Sequence, residues 1–222
     1  MKRHFAGRFI ASVLLFLIFL LFTFLVTRVD VQAIGPEGSR VGFAAINGAV
    51  FNYFGVNMTL FKLAEWLGYV AILMAVFFVF AGLIQWIRRK SLRKVDHTIL
   101  LMGALFVVTA MFYVLFDHFV INYRPIILET ELEPSYPSTH TLLVIVILGS
   151  AMLQFHRLFR GRKVLLLLLD LLPILLIVCT ILARLASGAH WLTDIVGGIL
   201  LSAALVTLYS SFVALMEPAK DP

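Results

Sequence analysis

The stretch VLLLLLDLLPILLIVCTILA, residues 164–183, contains a single charged residue, Asp170, among twenty positions. An α-helix rises 1.5 Å per residue, so twenty residues cover the roughly 30 Å of hydrocarbon in a bilayer. A continuous apolar run of this length predicts a helix that crosses a membrane. The lone cysteine, Cys179, lies within it and is interpreted as a small core residue, because no second cysteine offers a disulfide or zinc-type spacing.

Five further apolar runs resemble this one, at residues 9–26, 67–87, 98–116, 141–155 and 193–215. The whole chain of 222 residues is 62% hydrophobic and 14% charged, with a mean hydropathy of +1.02. Soluble domains contain roughly 45–50% apolar residues. The sequence therefore predicts an all-α polytopic membrane protein, a bundle of six transmembrane helices, and a single membrane domain over residues 1–222. The first run, with its basic start MKRH, is expected to be an uncleaved anchor.

The basic residues are distributed unevenly over the two sides of such a bundle. Thirteen of the eighteen lysines and arginines fall on one side, where residues 2–8, 88–94, 157–163 and 220 lie. Under the positive-inside rule that side is cytoplasmic, which predicts a plasma-membrane protein with both termini inside. The net charge of +6 then reports topology, and nucleic acid is not expected as a partner. Residues 28–66 are expected to form an outer cap or loop with an interfacial segment.

Polar residues that can do chemistry collect on the predicted outer side. If the last helix begins near Gly188, His190 and Asp194 are four residues apart on one face of it. The carboxylate can then fix the imidazole tautomer and leave the other ring nitrogen free as a base or nucleophile. The spacing predicts a catalytic histidine–aspartate pair.

Two arginines and a helix start complete the predicted site. Arg124 and Arg184 present guanidinium groups that match phosphate oxygens, and together they indicate an anion clamp. Ser138 and Thr139 add hydroxyls and free backbone N–H groups at a helix N-terminus. His140, in the same YPSTH segment, is placed to give a proton to a departing oxygen.

Three segments carry a resemblance to a known family: DHFVINYRP (117–125), PSTH (137–140) and ARLASGAHWLTD (183–194). They resemble the three motifs of the type 2 phosphatidic acid phosphatase superfamily, K-x-x-x-x-x-x-R-P, P-S-G-H and S-R-x-x-x-x-x-H-x-x-x-D. The family-like catalytic core covers about residues 98–215. This chain departs from the pattern at three positions, with Asp117 for lysine, Thr139 for glycine and Ala183 for serine.

The resemblance implies a two-step hydrolysis of a lipid phosphate that needs no metal or other cofactor. His190 would attack phosphorus to give a phosphohistidine, with Asp194 orienting it and His140 protonating the leaving oxygen. Arg124, Arg184 and the Ser138–His140 backbone would hold the developing charge. The Asp117 carboxylate would repel a phosphate unless it turns away from the site or pairs with Arg124 or His118. The favoured interpretation is that Asp117 positions Arg124.

Several alternatives remain open on the sequence alone. Among substrates, the outward topology favours a polyprenyl diphosphate, followed by phosphatidylglycerol phosphate or phosphatidic acid. The same chemistry with a lipid or sugar acceptor in place of water would make a phosphotransferase. A third hypothesis is a non-catalytic lipid-binding or transport protein whose phosphate site Asp117 has spoiled. Protein partners and oligomeric state are not predicted.

Overall fold

In the computed structural model of the chain, residues 2–216 are described, with side chains from Phe5 to Met216. Lys220 and the side chains of Lys2 and Arg3, which contributed to the predicted topology, lie outside the described part. The described residues form seven α-helices: α1 (Lys2–Val26), α2 (Ala44–Phe54), α3 (Met58–Arg89), α4 (His97–His118), α5 (Thr139–Leu158), α6 (Lys163–Ala186) and α7 (Leu192–Met216).

Six of these helices, all but α2, are long and apolar enough to cross a membrane. The protein is therefore a multi-pass membrane protein with an all-helical bundle, and the predicted fold class is confirmed. The six predicted apolar runs each fall within one of these helices, with the lengths that a bilayer demands.

The first and last helices run antiparallel along most of their length. Arg8 Nη1 donates to Ser210 Oγ at 3.0 Å, and Ser12 Oγ donates to the Ala204 carbonyl at 3.0 Å. Small hydroxyl side chains let helices approach closely and hydrogen-bond across the contact. This pairing joins the amino-terminal helix to the helix that follows the site.

Helix α5 lies in the middle of the bundle, and α6 lies at its edge. Val146, Leu148 and Ala151 of α5 are fully buried, whereas Leu168 and Leu172 of α6 are more than half exposed. Exposed leucines on a membrane-spanning helix face lipid, so no polar face is needed there. The bundle thus holds α5 rigidly at the centre, with its first turn at the site.

A polar network ties three helices together at the end of the bundle away from the site. Gln154 Nε2 donates to Tyr209 Oη at 2.6 Å, Tyr209 Oη donates to the Thr98 carbonyl at 3.2 Å, and Thr98 Oγ1 donates to Gln154 Oε1 at 3.1 Å. All three residues are buried, so each polar group must find a partner within the protein. The network fixes α4, α5 and α7 relative to one another.

Helix α3 begins nine residues earlier than the apolar run at residue 67 predicted. Asn57 caps it, because its side-chain oxygen accepts from the backbone N–H groups of Thr59 at 3.0 Å and Leu60 at 3.1 Å. Residues 58–66, which were assigned to the outer cap, are therefore the first turns of a 32-residue helix. These turns contain charged residues, so the length of the apolar run did not predict that they are helical.

Candidate functional site

The turn between α6 and α7 carries the first candidate residue, His190. Helix α6 ends at Ala186 and α7 begins at Leu192. His190 therefore precedes α7, and the prediction that α7 starts near Gly188 with His190 on its surface is wrong. Gly188 has φ +69, and a Cβ there would come within 2.3 Å of the Gly55 carbonyl oxygen. Only glycine combines this left-handed conformation with so close an approach, and a tight turn rather than a helix results.

Asp194, in the first turn of α7, nevertheless faces His190 as predicted. Its Oδ2 lies 3.6 Å from His190 Nδ1, and both side chains are almost completely buried. Oδ2 also accepts the Trp191 backbone N–H at 2.9 Å, and Oδ1 accepts Asn122 Nδ2 at 3.0 Å. Asp194 is thus held from two sides with one oxygen directed toward the imidazole. Asn122, which was not predicted as a site residue, also belongs to the site.

Arg124 reaches the other nitrogen of the same imidazole. Its Nη1 lies 3.0 Å from His190 Nε2, and its Nε donates to Glu133 Oε2 at 2.8 Å. Two backbone hydrogen bonds hold the loop, from Arg124 N to the Glu133 carbonyl at 3.0 Å and from Ser135 N to the Asn122 carbonyl at 2.9 Å. The loop between α4 and α5 therefore brings Arg124 to His190 and Asn122 to Asp194.

The surroundings of His190 keep its imidazole neutral. Burial lowers the pKa of His190 to about 4; Asp194 opposes this shift, and the nearby positive charges of Arg124 and Arg184 add to it. At neutral pH the ring then carries one proton. Asp194 Oδ2 faces Nδ1 at 3.6 Å, longer than a hydrogen bond, and the Arg124 guanidinium can only donate toward Nε2. This arrangement favours the tautomer with the proton on Nδ1 and the lone pair on Nε2. This lone pair points at the Arg124 guanidinium, where an anion would also bind.

Arg184, at the end of α6, is fully buried and only partly paired. Its Nη2 is bonded to Glu65 of α3, and its guanidinium lies 4.9 Å from the centre of the Phe61 ring. Its Nε and Nη1 have no hydrogen-bond partner among the described residues. Leaving buried donors of a charged group unpaired costs free energy, about 1–3 kcal/mol or more per group. These two unpaired donors on a buried guanidinium are available to bind an anion.

His140, in the first turn of α5, completes the cluster through the same glutamate. Its Nε2 lies 3.1 Å from Glu65 Oε1. Helix α3 passes close to the ring, because a Cβ on Gly68 would lie 3.0 Å from His140 Cδ2. Glu65 therefore links Arg184 of α6 to His140 of α5, although no motif in the sequence pointed to it.

The start of α5 differs from the prediction in one respect. The Ser138 N–H is not free, since it donates to the Asp194 carbonyl at 2.9 Å, and the Ser138 hydroxyl accepts from Thr141 Oγ1 at 3.1 Å. Ser138 is completely buried. It therefore fastens α5 to α7 instead of presenting its hydroxyl to the pocket. The N–H groups of Thr139 and His140 begin the helix and have no partner within it.

Comparison with known proteins agrees with this arrangement. Residues 117–216 match the family model of the PAP2 superfamily. This part of the chain is therefore similar to the PAP2 superfamily. The fold is similar to that of a transmembrane PAP2 type phosphatidylglycerolphosphate phosphatase from Bacillus subtilis, with a TM-score of 0.69 over 94% of this chain and 98% of that one. The two sequences are 18% identical, so this similarity establishes a shared fold. No curated protein sequence matches the chain.

Asp117 is the first residue of the segment that matches the PAP2 model, and it stands where the family pattern has lysine. Its side chain is exposed and forms no hydrogen bond or ion pair with any described residue. The favoured interpretation, that Asp117 positions Arg124, is wrong, because Glu133 holds that guanidinium. Asp117 and Thr139 instead line a cavity of about 260 Å³ beside Arg124. The carboxylate thus lies at the edge of the site without taking part in its ion pairs.

Proposed function

We propose that the protein is a membrane phosphatase that hydrolyses a lipid phosphate or diphosphate through a phosphohistidine on His190. The observation that carries this proposal is the pair of contacts on one buried imidazole, with Asp194 at Nδ1 and Arg124 at Nε2. A neutral imidazole with an oriented lone pair beside a guanidinium is suited to attack phosphorus. The PAP2 superfamily match and the fold of the Bacillus subtilis phosphatase support the same reaction class.

In the first step, His190 Nε2 attacks phosphorus as the bond to the leaving oxygen breaks. Arg124 turns from Nε2 toward a phosphate oxygen, and the free Nε and Nη1 groups of Arg184 take others. His140 protonates the departing oxygen. Guanidinium groups that are already in place stabilise charge in the transition state without reorganisation, and removal of one such donor elsewhere costs roughly 10²–10³ in rate.

In the second step, water attacks the phosphohistidine. His140, which gave up its proton in the first step, accepts one from the water, and His190 leaves phosphorus with its lone pair restored. Inorganic phosphate is released and both histidines return to their starting states. Every step uses side chains of this chain, so we propose that no metal or other cofactor is needed.

The proposed substrate is a lipid whose phosphate reaches the site from the membrane. Polyprenyl diphosphate, phosphatidylglycerol phosphate and phosphatidic acid all present a terminal phosphate on an apolar body. We place polyprenyl diphosphate first, because its recycling needs an outward-facing site. Phosphatidylglycerol phosphate follows, supported by the stated activity of the Bacillus subtilis neighbour.

The test is release of inorganic phosphate from each of the three lipids by the purified protein in detergent micelles, with EDTA present. We expect release from at least one lipid, at the same rate with and without EDTA. Binding of the lipids without any release would instead support a non-catalytic role. Phosphate found on an added alcohol, with little released to water, would make the protein a phosphotransferase.

We also propose that the termini are cytoplasmic and that the site faces outside, on the basis of the clustered basic residues. Single cysteines placed at Glu131 and at Arg162, both exposed and at opposite ends of the bundle, report this orientation. The native cysteine, Cys179, is replaced by serine in the background. In intact cells an impermeant maleimide is expected to label the cysteine at position 131 strongly and the one at position 162 weakly.

Detergent-solubilised protein is the control for that experiment. Both cysteines should then be labelled to the same extent, because the membrane no longer shields either of them. Preferential labelling at position 162 in intact cells would reverse the proposed orientation.

A further inference from the structure

Glu65 contacts two of the proposed catalytic and binding residues at once. It lies in the first turns of α3, about 29% exposed, and one of its oxygens contacts both Arg184 of α6 and His140 of α5. None of the three sequence motifs includes this helix. A carboxylate beside a proposed phosphate site is unfavourable for an anionic substrate, so its presence there calls for a physical reason.

The contact with Arg184 obstructs the natural way in which a guanidinium binds phosphate. Each edge of the planar group that donates two parallel hydrogen bonds includes Nη2, and Glu65 is bonded to Nη2. The remaining donors, Nε and Nη1, are idle. A phosphate that takes two parallel bonds from Arg184 must therefore share Nη2 with Glu65 or displace it.

The contact with His140 has the opposite consequence. Oε1 lies 3.1 Å from Nε2. A negative charge at that distance makes the imidazolium that a proton donor needs more favourable than it would be without Glu65, whereas burial and the nearby Arg184 and Arg124 act against it. His140 Nδ1 has no hydrogen-bond partner among the described residues, so this nitrogen is available to deliver the proton. The arrangement parallels Asp194 and His190, in which the carboxylate faces one ring nitrogen and the other reacts.

Helix α3 is also shaped to keep this contact. Gly68, one turn after Glu65, leaves the space that the His140 ring occupies, and a Cβ there would lie 3.0 Å from Cδ2. This contact involves no charge. It indicates independently that α3 fixes the position of His140.

We infer that Glu65 is a positioning residue with two tasks: it occupies Arg184 until a phosphate displaces it, and it holds His140 as the proton donor. The inference rests on the proposed phosphatase function. As the substrate phosphate takes Nη2 of Arg184, Glu65 keeps its contact with His140. The proton then passes from His140 to the leaving oxygen while the bond between phosphorus and that oxygen breaks.

The two tasks predict opposite changes when the charge of Glu65 is removed. For Glu65→Gln, we expect inorganic phosphate to inhibit at least threefold more tightly, because the competitor for Arg184 is weaker. We expect kcat on an alkyl lipid phosphate to fall at least tenfold, because His140 loses its carboxylate. On p-nitrophenyl phosphate, whose leaving group departs without a proton, the loss of kcat should be under threefold.

Two further variants separate the tasks from a general structural effect. Gly68→Ala keeps the charge of Glu65 and crowds the His140 ring, so it should lower kcat on the alkyl phosphate and leave inhibition by phosphate unchanged. Glu131→Gln makes the same chemical change at an exposed glutamate without a partner among the described residues, and should change nothing.

The outcomes also distinguish this inference from the proposed function. Suppose that the wild type hydrolyses lipid phosphate and that this activity depends on His190. If Glu65→Gln then loses kcat equally on both substrates, and phosphate inhibits it no more tightly than the wild type, the inference about Glu65 is overturned and the proposed function stands. Wild-type behaviour of Glu65→Gln overturns it as well. If the wild type releases no phosphate from any substrate, the proposed function itself fails.

Discussion

Replacing His190 with alanine is expected to lower phosphate release from the best lipid substrate by roughly 10⁴-fold or more, a loss typical of removing a catalytic nucleophile. The physical reason is that Nε2 of this ring combines an oriented lone pair with direct contact to Arg124. Burial lowers the pKa of His190 to about 4, so at neutral pH the wild-type ring needs no deprotonation before it attacks. The measurement is the initial rate of phosphate release in detergent, together with capture of acid-labile phosphoprotein after rapid quenching.

His156 offers a matched control for this variant. It is a histidine paired with a carboxylate, since its Nε2 lies 2.8 Å from Asp170 Oδ2, but it lies far from the site along α5 and is half exposed. The His156→Ala variant should therefore keep wild-type turnover and still form the phosphohistidine on His190. Near-normal turnover by His190→Ala would exclude His190 as the nucleophile, whatever the other variants do.

The fold could be predicted from sequence wherever apolar length alone decides the structure. Residues 164–183 and 193–215 have too few charges to be anything but membrane helices, and the structure has them as α6 and α7. The prediction failed where charged residues interrupt an apolar run that is still helical. Lys62 and Glu65 made residues 58–66 look like a loop, although Asn57 provides a helix cap directly before them.

The part of the site that could be predicted from the sequence consists of residues within the three motifs. Arg124 and Asp194 both contact His190 as expected. Arg124 is held by the backbone pairing of its own loop, and Asp194 by the Trp191 backbone N–H. Glu65 was missed because its partner Arg184 is 119 residues away, and only the packing of α3 against α5 and α6 brings the two together. An ionisable residue within an apolar helix was the available signal.

The misjudged role of Asp117 has a similar origin. Its distance in sequence from Arg124 fits the family pattern, but Arg124 finds its carboxylate within its own loop, at Glu133. A loop that folds back by backbone pairing of residues 122–124 with 133–135 places Glu133 next to Arg124. Spacing along the chain could not reveal that pairing, since the intervening residues carry no strong turn signal.

Exchange of Asp194 for asparagine is expected to lower turnover by about 10⁴-fold, as for a carboxylate that orients a catalytic histidine elsewhere. The two oxygens of Asp194 accept from the Trp191 backbone and from Asn122 while one of them faces His190 Nδ1. An amide has a single acceptor oxygen and adds a donor. Whenever its NH₂ group faces the imidazole, the tautomer with the proton on Nε2 is favoured, and the nucleophilic lone pair is lost.

Asp96→Asn is the matched control for this exchange. Asp96 also lies at a helix N-terminus, where its Oδ1 accepts the Thr98 N–H at 3.1 Å, but it lies at the end of the bundle away from the site. We expect both variants to lose the same thermal stability and only Asp194→Asn to lose turnover. This result would show that Asp194 acts by orienting His190 and not merely by capping a helix. If Asp194→Asn instead keeps turnover within tenfold of the wild type while His190→Ala is inactive, Asp194 serves to hold Asn122 and Trp191 in place, and the tautomer of His190 is set by Arg124.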